Sequence, residues 1–212
     1  MKKKGFWTHG PGSFVIAIGC ALFIRWLFLE SYVIPTSSMI PTLLVNDHIF
    51  VNKISYGLRV PFTEKWLVNW GEPQRGDVVI FKFPESRSKY FIKRVIGVPG
   101  DRIYYENGQL YVNEAVIEKS IPKLRKADEQ WLSPEQKEQF THWEEALNDH
   151  NYSILLKKGE RDGETYGPIT VPAEHYFVMG DSRDNSEDSR VWEPEKRFVP
   201  QHYIVGRAAF VW

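Results

Sequence analysis

The feature that most constrains this chain is an apolar stretch, Ser13 to Leu29, followed closely by three hydroxyl residues between two prolines. An apolar run of about this length is at the short end for a helix that crosses a bilayer, so we expect one N-terminal transmembrane helix over 13–30. Pro35 and Pro41 restrict the backbone around them, which presents the hydroxyl residues 36–38 on a stiff segment. A serine held rigidly beside a membrane indicates a nucleophile; a Ser/Thr/Pro linker between an anchor and a domain is the alternative.

The charges around the apolar stretch predict its orientation. Three lysines at 2–4 precede it and few basic residues follow it, which predicts a short cytoplasmic N-terminus over 1–12 and the remainder of the chain outside. Arg25 is tolerable near the outer end, where its long side chain can reach the interface. A cleavable signal peptide would end in small residues, which 28–32 lack, and a lipoprotein site at Cys20 would need the apolar residues to stop there. The segment is therefore predicted to be an uncleaved, single-pass signal-anchor.

Composition excludes several classes of protein. The 212 residues suffice for one domain of ordinary size plus an anchor. Twenty-seven basic and 27 acidic residues cancel, which argues against a nucleic-acid partner. Cys20 is the only cysteine, so no intramolecular disulfide can form and the core must be held by packing.

Beyond the anchor, the pattern predicts a mainly β protein. Asn107-Gly108 lies between two alternating runs and suits the type I′ turn of an antiparallel hairpin. Further strands are predicted at 47–53, 78–83, 90–98, 153–156, 175–179 and 204–212.

Residues 120–150 differ from the rest in being charged and poor in β-branched residues. Ser133, Pro134 and Gln136 form a good helix start, with Ser as N-cap and Gln at the capping-box position. Phe140, Trp143 and Leu147 follow at spacings of three and four, as on one face of a helix. We therefore expect a short helix near 133–148 within an inserted subdomain.

Two polar segments could carry chemistry. Lys93 lies between Phe91 and Val95 on a predicted strand, so it is either an edge charge or a buried amine; burial would lower its pKa and make it a usable general base. Residues 180–190 are densely charged, but Arg183 and Ser186 occupy positions where a calcium loop needs an oxygen ligand and glycine. No metal is expected there; the segment is either an Asp/Arg-paired loop that orients a neighbouring lysine or an exposed loop.

Three motifs in order, behind an N-terminal anchor, resemble one family closely: type I signal peptidase, a membrane-anchored serine protease with a Ser/Lys dyad. Pro35 to Thr42 matches its serine motif, which ends Ser-Met-x-Pro-Thr. Arg75 to Asp101 matches its lysine motif, from Arg-Gly-Asp through a Lys-Arg pair to Gly-x-Pro-Gly-Asp. Gly180 to Arg190 matches Gly-Asp-x-Arg-Asp-Asn-Ser-x-Asp-Ser-Arg, so the likeness spans nearly the whole chain.

The resemblance implies a role for individual residues. Ser38 would be the nucleophile and Lys93 the general base. The Ser38 backbone N–H and the Thr36 hydroxyl would form the oxyanion hole. Ser186 would orient the lysine. Two further residues would form a structural ion pair near the site: Asp188 and Arg190.

The resemblance also implies the organisation and setting of the protein. A catalytic antiparallel β domain would comprise 31–104 and 171–212, with a smaller β subdomain inserted at 105–170. The substrates would be preproteins with signal peptides, bound extended and cleaved without any cofactor. The protein would be anchored in the lipid bilayer of the bacterial inner membrane. Its N-terminus would be cytoplasmic and its catalytic domain periplasmic.

Three other functions share some of these features. A processing peptidase for a narrower set of exported proteins would use the same site. A self-cleaving transcriptional repressor shares the Ser/Lys logic but should carry a DNA-binding helix pair where this chain carries an anchor. A non-catalytic, membrane-anchored binding domain would not need both Ser38 and Lys93 in matching contexts.

The segment Val60 to Trp70 connects the serine and lysine motifs and is rich in large apolar residues. Tryptophan favours the membrane–water interface, so we expect this segment at the bilayer surface. The alternative is that its side chains cap the sheet core.

Overall fold

A computed structural model describes residues 11–60, 63–122, 132–148, 150–159 and 164–211. It begins with helix α1, Pro11–Phe28, which covers most of the predicted anchor. The side chains at 11 and 20–27 lie outside the description, as do residues 1–10 of the predicted cytoplasmic segment. Among the residues that the structure describes, no helix is long and apolar enough to cross a membrane.

Strands make up most of the rest of the chain. In chain order they are β1 Leu29–Val33, β2 His48–Asn52, β3 Gly57–Arg59, β4 Trp66–Asn69, β5 Val78–Phe83, β6 Ser86–Gly97, β7 Arg102–Glu106, β8 Gln109–Val112, β9 Ala115–Val116, β10 Lys119–Ser120, β11 Phe140–Leu147, β12 His150–Lys157, β13 Thr165–Thr170, β14 His175–Met179, β15 Val199–Pro200 and β16 Ile204–Val211. A second helix, α2, spans Pro134–Gln139.

The largest sheet has seven strands in the order β1-β2-β16-β5-β6-β14-β15, with neighbouring strands antiparallel. Strand β2 alternates buried and partly exposed residues, as expected where one face packs on a core. Strand β6 lies between β5 and β14, and its last five residues are all buried. The prediction of a mainly β, antiparallel fold is confirmed.

Residues between β6 and β14 form two smaller sheets. One is four-stranded, β13-β7-β8-β9, and the other is three-stranded, β10-β11-β12. The predicted hairpin is present as β7 and β8, with positive φ angles of 49° at Asn107 and 80° at Gly108, as a type I′ turn requires.

One hydrophobic core joins these sheets to the largest one. It contains Ile96 and Phe177 from the seven-stranded sheet, Leu110 from the four-stranded sheet and Ile154 from the three-stranded sheet. The insert is therefore packed against the main sheet, while the exact domain boundaries at 105 and 170 stay a prediction.

The predicted helix near 133–148 is wrong beyond Gln139. The capping box at Ser133 and Gln136 forms as expected, but the helix ends after six residues and Phe140–Leu147 pairs with β12. The apolar stripe is not helical: Trp143 and Leu147 face the core that joins the sheets, whereas Phe140 packs in a separate cluster with Leu155. Pairing with β12 outweighs the local helical spacing, because tertiary contacts determine the secondary structure of short segments.

The segment predicted at the bilayer surface supplies strand β4 of the β3–β4 hairpin and the connection that leads to it, with residues 61 and 62 outside the description. Trp66 packs against the core, as the capping alternative expected. Leu67, Val68 and Trp70 are exposed by 61%, 52% and 57%, so the apolar surface that the membrane hypothesis needs is available on this hairpin. Docking of this hairpin on a bilayer stays a prediction.

Candidate active site

Ser38 lies in a short 3-10 turn, Ser37–Met39, that follows β1 and Pro35. Met39 is fully buried and packs with Ile34 in the core below the turn. The apolar side chains on either side thus fix the turn to the sheet, and Ser38 is left only 7% exposed.

Lys93 reaches this serine from the interior strand β6. Its main chain pairs with Val79 of β5, and its side chain is only 4% exposed. The Lys93 Nζ donates to Ser38 Oγ at 2.5 Å, and Nζ also lies 5.6 Å from the ring centre of Phe91. Of the two interpretations of Lys93, the buried amine is correct, because the strand is central in the sheet.

Burial lowers the pKa of Lys93 to about 8, since a desolvated ammonium is disfavoured. Asp188, Asp181 and Glu187 act in the opposite direction, and Arg190 adds to the lowering. Desolvation is the largest of these influences. A substantial fraction of Lys93 is therefore neutral near pH 8, and a neutral amine can accept a proton from a hydroxyl.

Thr36 is exposed at the entrance of the turn, and its Oγ1 lies 3.4 Å from Ser38 Oγ. The Thr36 and Ser38 hydroxyls are therefore neighbours on the same side of the turn. An oxygen anion that forms beside Ser38 could accept from the Thr36 hydroxyl and from the Ser38 N–H.

The 180–190 loop, which follows β14, packs against the Ser38 turn. The Ser182 N–H donates to the Ser38 carbonyl at 3.1 Å, and Asn185 Nδ2 donates to Ser37 Oγ at 2.7 Å. A Cβ at Gly180 would overlap both the Ser38 carbonyl oxygen and Ser186 Oγ, so this close approach requires glycine.

Asp188 and Arg190 form a buried ion pair within this loop, with Arg190 Nε and Nη2 each 2.9 Å from an Asp188 oxygen. Asp188 also accepts from the Gly180 N–H at 3.0 Å. The Arg190 guanidinium holds the pKa of Asp188 below its usual value, although burial opposes this. The pair therefore stays ionised and closes the loop on itself.

Ser186 lies in the same loop with its hydroxyl oxygen buried beside Gly180. Within the described residues, the structure contains no hydrogen bond between Ser186 and Lys93. The residue is thus brought to the site, while its orienting role stays a prediction.

Several charged residues at the site were missed by sequence reasoning. Arg94, directly after Lys93, donates from Nε and Nη2 to Asp181 at 2.8 and 2.6 Å and also to Thr42 Oγ1 at 3.2 Å. Thr42 in turn donates to Asp181. The sequence signal that could have identified the Arg94–Asp181 pair was the Lys-Arg dipeptide of the lysine motif together with the Gly-Asp dipeptide that begins the 180–190 motif.

A third buried ion pair joins the loop to the insert: Arg183 and Glu145, both with fully buried side chains. Glu145 lies in a segment predicted to be helical, so sequence reasoning could not place it here. Across the described ranges, no group of three or more His, Cys, Asp or Glu residues is arranged to hold a metal ion.

Residues 7–212 match the family described as "Signal peptidase, peptidase S26". Signal peptidase I of Pseudomonas aeruginosa is 38% identical over 220 residues, which cover 100% of this chain and 74% of that protein. Signal peptidase I of Rickettsia massiliae is 35% identical and covers 95% of this chain and 77% of that protein.

The crystal structure of a signal peptidase I from Enterococcus faecalis is 26% identical, covers 65% of this chain and 97% of that chain, and gives a TM-score of 0.38. The three motifs occur in one chain whose family match extends over nearly its whole length. This chain belongs to the signal peptidase family, peptidase S26.

Proposed function

We propose that this chain is a membrane-bound serine endopeptidase that removes N-terminal signal peptides from exported preproteins, with Ser38 as nucleophile and Lys93 as general base. The observation that carries the proposal is the 2.5 Å contact between Lys93 Nζ and Ser38 Oγ in a site from which water is largely excluded. Membership of the signal peptidase family supports the substrate class.

Acylation follows from this contact. The neutral Lys93 amine accepts the Ser38 hydroxyl proton while Oγ bonds to the scissile carbonyl carbon, whose π electrons move to the carbonyl oxygen. When the tetrahedral intermediate collapses, the C–N bond breaks and Lys93 returns the proton to the leaving amine. The mature protein departs with a new N-terminus, and the signal peptide remains as an ester on Ser38.

Deacylation repeats the same proton transfers with water as nucleophile. Lys93 accepts a proton from water, the water oxygen bonds to the ester carbon, and Ser38 Oγ leaves with the proton that Lys93 held. The signal peptide is released as a carboxylic acid. The Thr36 hydroxyl and Ser38 N–H stabilise the oxygen anion in both intermediates.

Ser186, Asp188 and Arg190 support this chemistry from the loop. Ser186 orients the Lys93 amine once substrate is bound. In structures without substrate, catalytic hydrogen bonds are often long or poorly aligned, and they tighten only in the enzyme–substrate complex. The Asp188–Arg190 pair keeps the loop folded against the Ser38 turn.

The setting of the enzyme is inferred from its N-terminal region. The apolar residues of Ser13 to Leu29 anchor the chain in the bacterial inner membrane as one spanning helix, with the three preceding lysines on the cytoplasmic side. The β domain then lies on the periplasmic side, where signal peptides emerge.

Ser38→Ala is expected to abolish preprotein cleavage, because it removes the nucleophile. Ser37→Ala is the matched control, since Ser37 precedes it in the same turn and its hydroxyl contacts Asn185 instead of Lys93. Cleavage is followed in detergent with a purified preprotein, and the new N-terminus is sequenced. An active Ser38→Ala enzyme beside an inactive Ser37→Ala enzyme would show that the nucleophile is misassigned.

Activity is expected to rise with pH and to level off above a midpoint near 8, because burial lowers the Lys93 pKa to about 8 and only the neutral amine is a base. Each pH unit below the midpoint should lower kcat/KM about tenfold. Lys93→Arg should be inactive across the range, since a guanidinium stays protonated. A substantially active arginine variant would rule out Lys93 as the base.

Thr36→Val is nearly isosteric and lacks only the hydroxyl. We expect kcat to fall by about 10²–10³, as on loss of one oxyanion donor, with KM nearly unchanged because the bond strengthens as charge develops. Steady-state kinetics on a signal-peptide substrate measure both constants. If kcat is unaltered, Thr36 has no part in the oxyanion hole.

A further inference from the structure

The three-stranded sheet of the insert buries two polar side chains where it meets the active-site region. Glu145 of β11 and Tyr152 of β12 are direct register partners, and the Tyr152 hydroxyl donates to Glu145 Oε2 at 2.8 Å. Glu145 is fully buried and Tyr152 is only 6% exposed. Burying a carboxylate is unfavourable unless it is paired, so the groups that contact Glu145 indicate its role in the structure.

Each of these side chains holds an arginine of the active-site region. Glu145 accepts from both terminal nitrogens of Arg183, at 2.8 and 2.5 Å. The Tyr152 ring lies under the Arg94 guanidinium, 4.1 Å from its carbon to the ring centre. Arg183 belongs to the 180–190 loop, and Arg94 directly follows Lys93.

Main-chain hydrogen bonds continue the link from the insert to the serine. The Leu155 N–H of β12 donates to the Asp181 carbonyl at 2.9 Å, and the Lys157 N–H donates to Asp184 Oδ2 at 2.5 Å. Ser182, which follows Asp181 in the loop, donates from its main-chain N–H to the Ser38 carbonyl at 3.1 Å. Strand β12 is thus two hydrogen bonds away from the nucleophile.

We propose that the sheet β10–β12 is a positioning unit for the active site, in which Glu145 and Tyr152 hold the 180–190 loop against Ser38 through Arg183 and Arg94. This rests on the proposed Ser38/Lys93 function and assigns the insert a part in it. Glu145 and Tyr152 are positioning residues, because neither contacts Ser38 or Lys93.

The buried charges explain why the link is strong. Arg94, Asp181, Arg183 and Glu145 balance as two ion pairs, all with side chains 6% exposed or less. Removing one partner of a buried pair is strongly destabilising, because it leaves an uncompensated buried charge. Without the Glu145 carboxylate, the Arg183 guanidinium is therefore driven toward water and takes the loop with it.

Movement of the 180–190 loop would change the environment of the Lys93 amine. The charged groups with the largest influence on the Lys93 pKa are loop residues: Asp181, Glu187, Asp188 and Arg190. Water admitted by a loosened loop would reverse the desolvation that is the largest influence on the amine, so the Lys93 pKa would rise. A role in stability alone would leave this pKa unchanged in the molecules that stay folded.

The test compares Glu145→Gln with Glu144→Gln in the full chain in detergent micelles. Glu144 is the adjacent residue of β11 and lies on its other face, which makes it a matched control. For Glu145→Gln we expect kcat to fall about 10–100-fold, with KM within about threefold and the midpoint of the pH profile about half a unit or more higher. Glu144→Gln should match the wild type.

Activity is expressed per folded molecule, with the folded fraction measured by tryptophan fluorescence. If the Glu145→Gln molecules that stay folded have a normal kcat and a normal pH midpoint, the proposal is overturned, whatever the folded fraction. If Glu145→Gln does not fold, Tyr152→Phe decides, because it removes only the hydroxyl that contacts both Glu145 and Arg183. A folded Tyr152→Phe enzyme with an unshifted midpoint contradicts the proposal; a raised midpoint supports it.

A failure of the proposed function would look different. In that case the wild-type chain would leave the preprotein uncut, or Ser38→Ala would cut it equally well. Ser38-dependent cleavage by the wild type with an unaffected Glu145→Gln enzyme would reject only the role of the insert.

Discussion

The contact between the Lys93 amine and the Ser38 hydroxyl places an ionisable group where almost no water reaches it. A lysine in that position is useful only if its ammonium is disfavoured, and burial on an interior strand of the sheet lowers its pKa to about 8. The rest of the site keeps this environment intact. Core residues such as Met39 fix the turn below Ser38, and the 180–190 loop covers it from the other side.

Buried ion pairs keep the loop in place. The pairs Arg94–Asp181 and Asp188–Arg190 join it to β6 and to itself, and Glu145 joins it to the insert. Such pairs contribute little net stability compared with apolar packing, but a broken one is costly, so they favour a single arrangement of the loop. A fixed arrangement is what a base and a nucleophile at hydrogen-bond distance need. The chain belongs to the signal peptidase family. The Ser38/Lys93 chemistry that we propose for it would depend on this rigidity.

Much of the site was predictable from sequence because its residues lie in short, ordered motifs. Ser38, Lys93 and the loop were identified this way, and the structure brings them together. The strands at 78–83 and 175–179 also match, since short runs of β-branched and aromatic residues identify them locally. The fold of Phe140–Leu147 was not predictable, because its helical spacing is overridden by pairing with β12. The partner of Arg183 was missed for the same reason, since Glu145 lies on that strand.

The most direct test of this account is the pKa of Lys93 itself, measured in the full chain with 13C-labelled lysine by NMR. The signal is assigned by its absence in a Lys93→Met variant, and its shift is followed against pH in detergent micelles. The account predicts a titration midpoint near 8. A midpoint near the ordinary lysine value of 10.5 would contradict it, because the amine would then be charged at working pH and could not serve as the base.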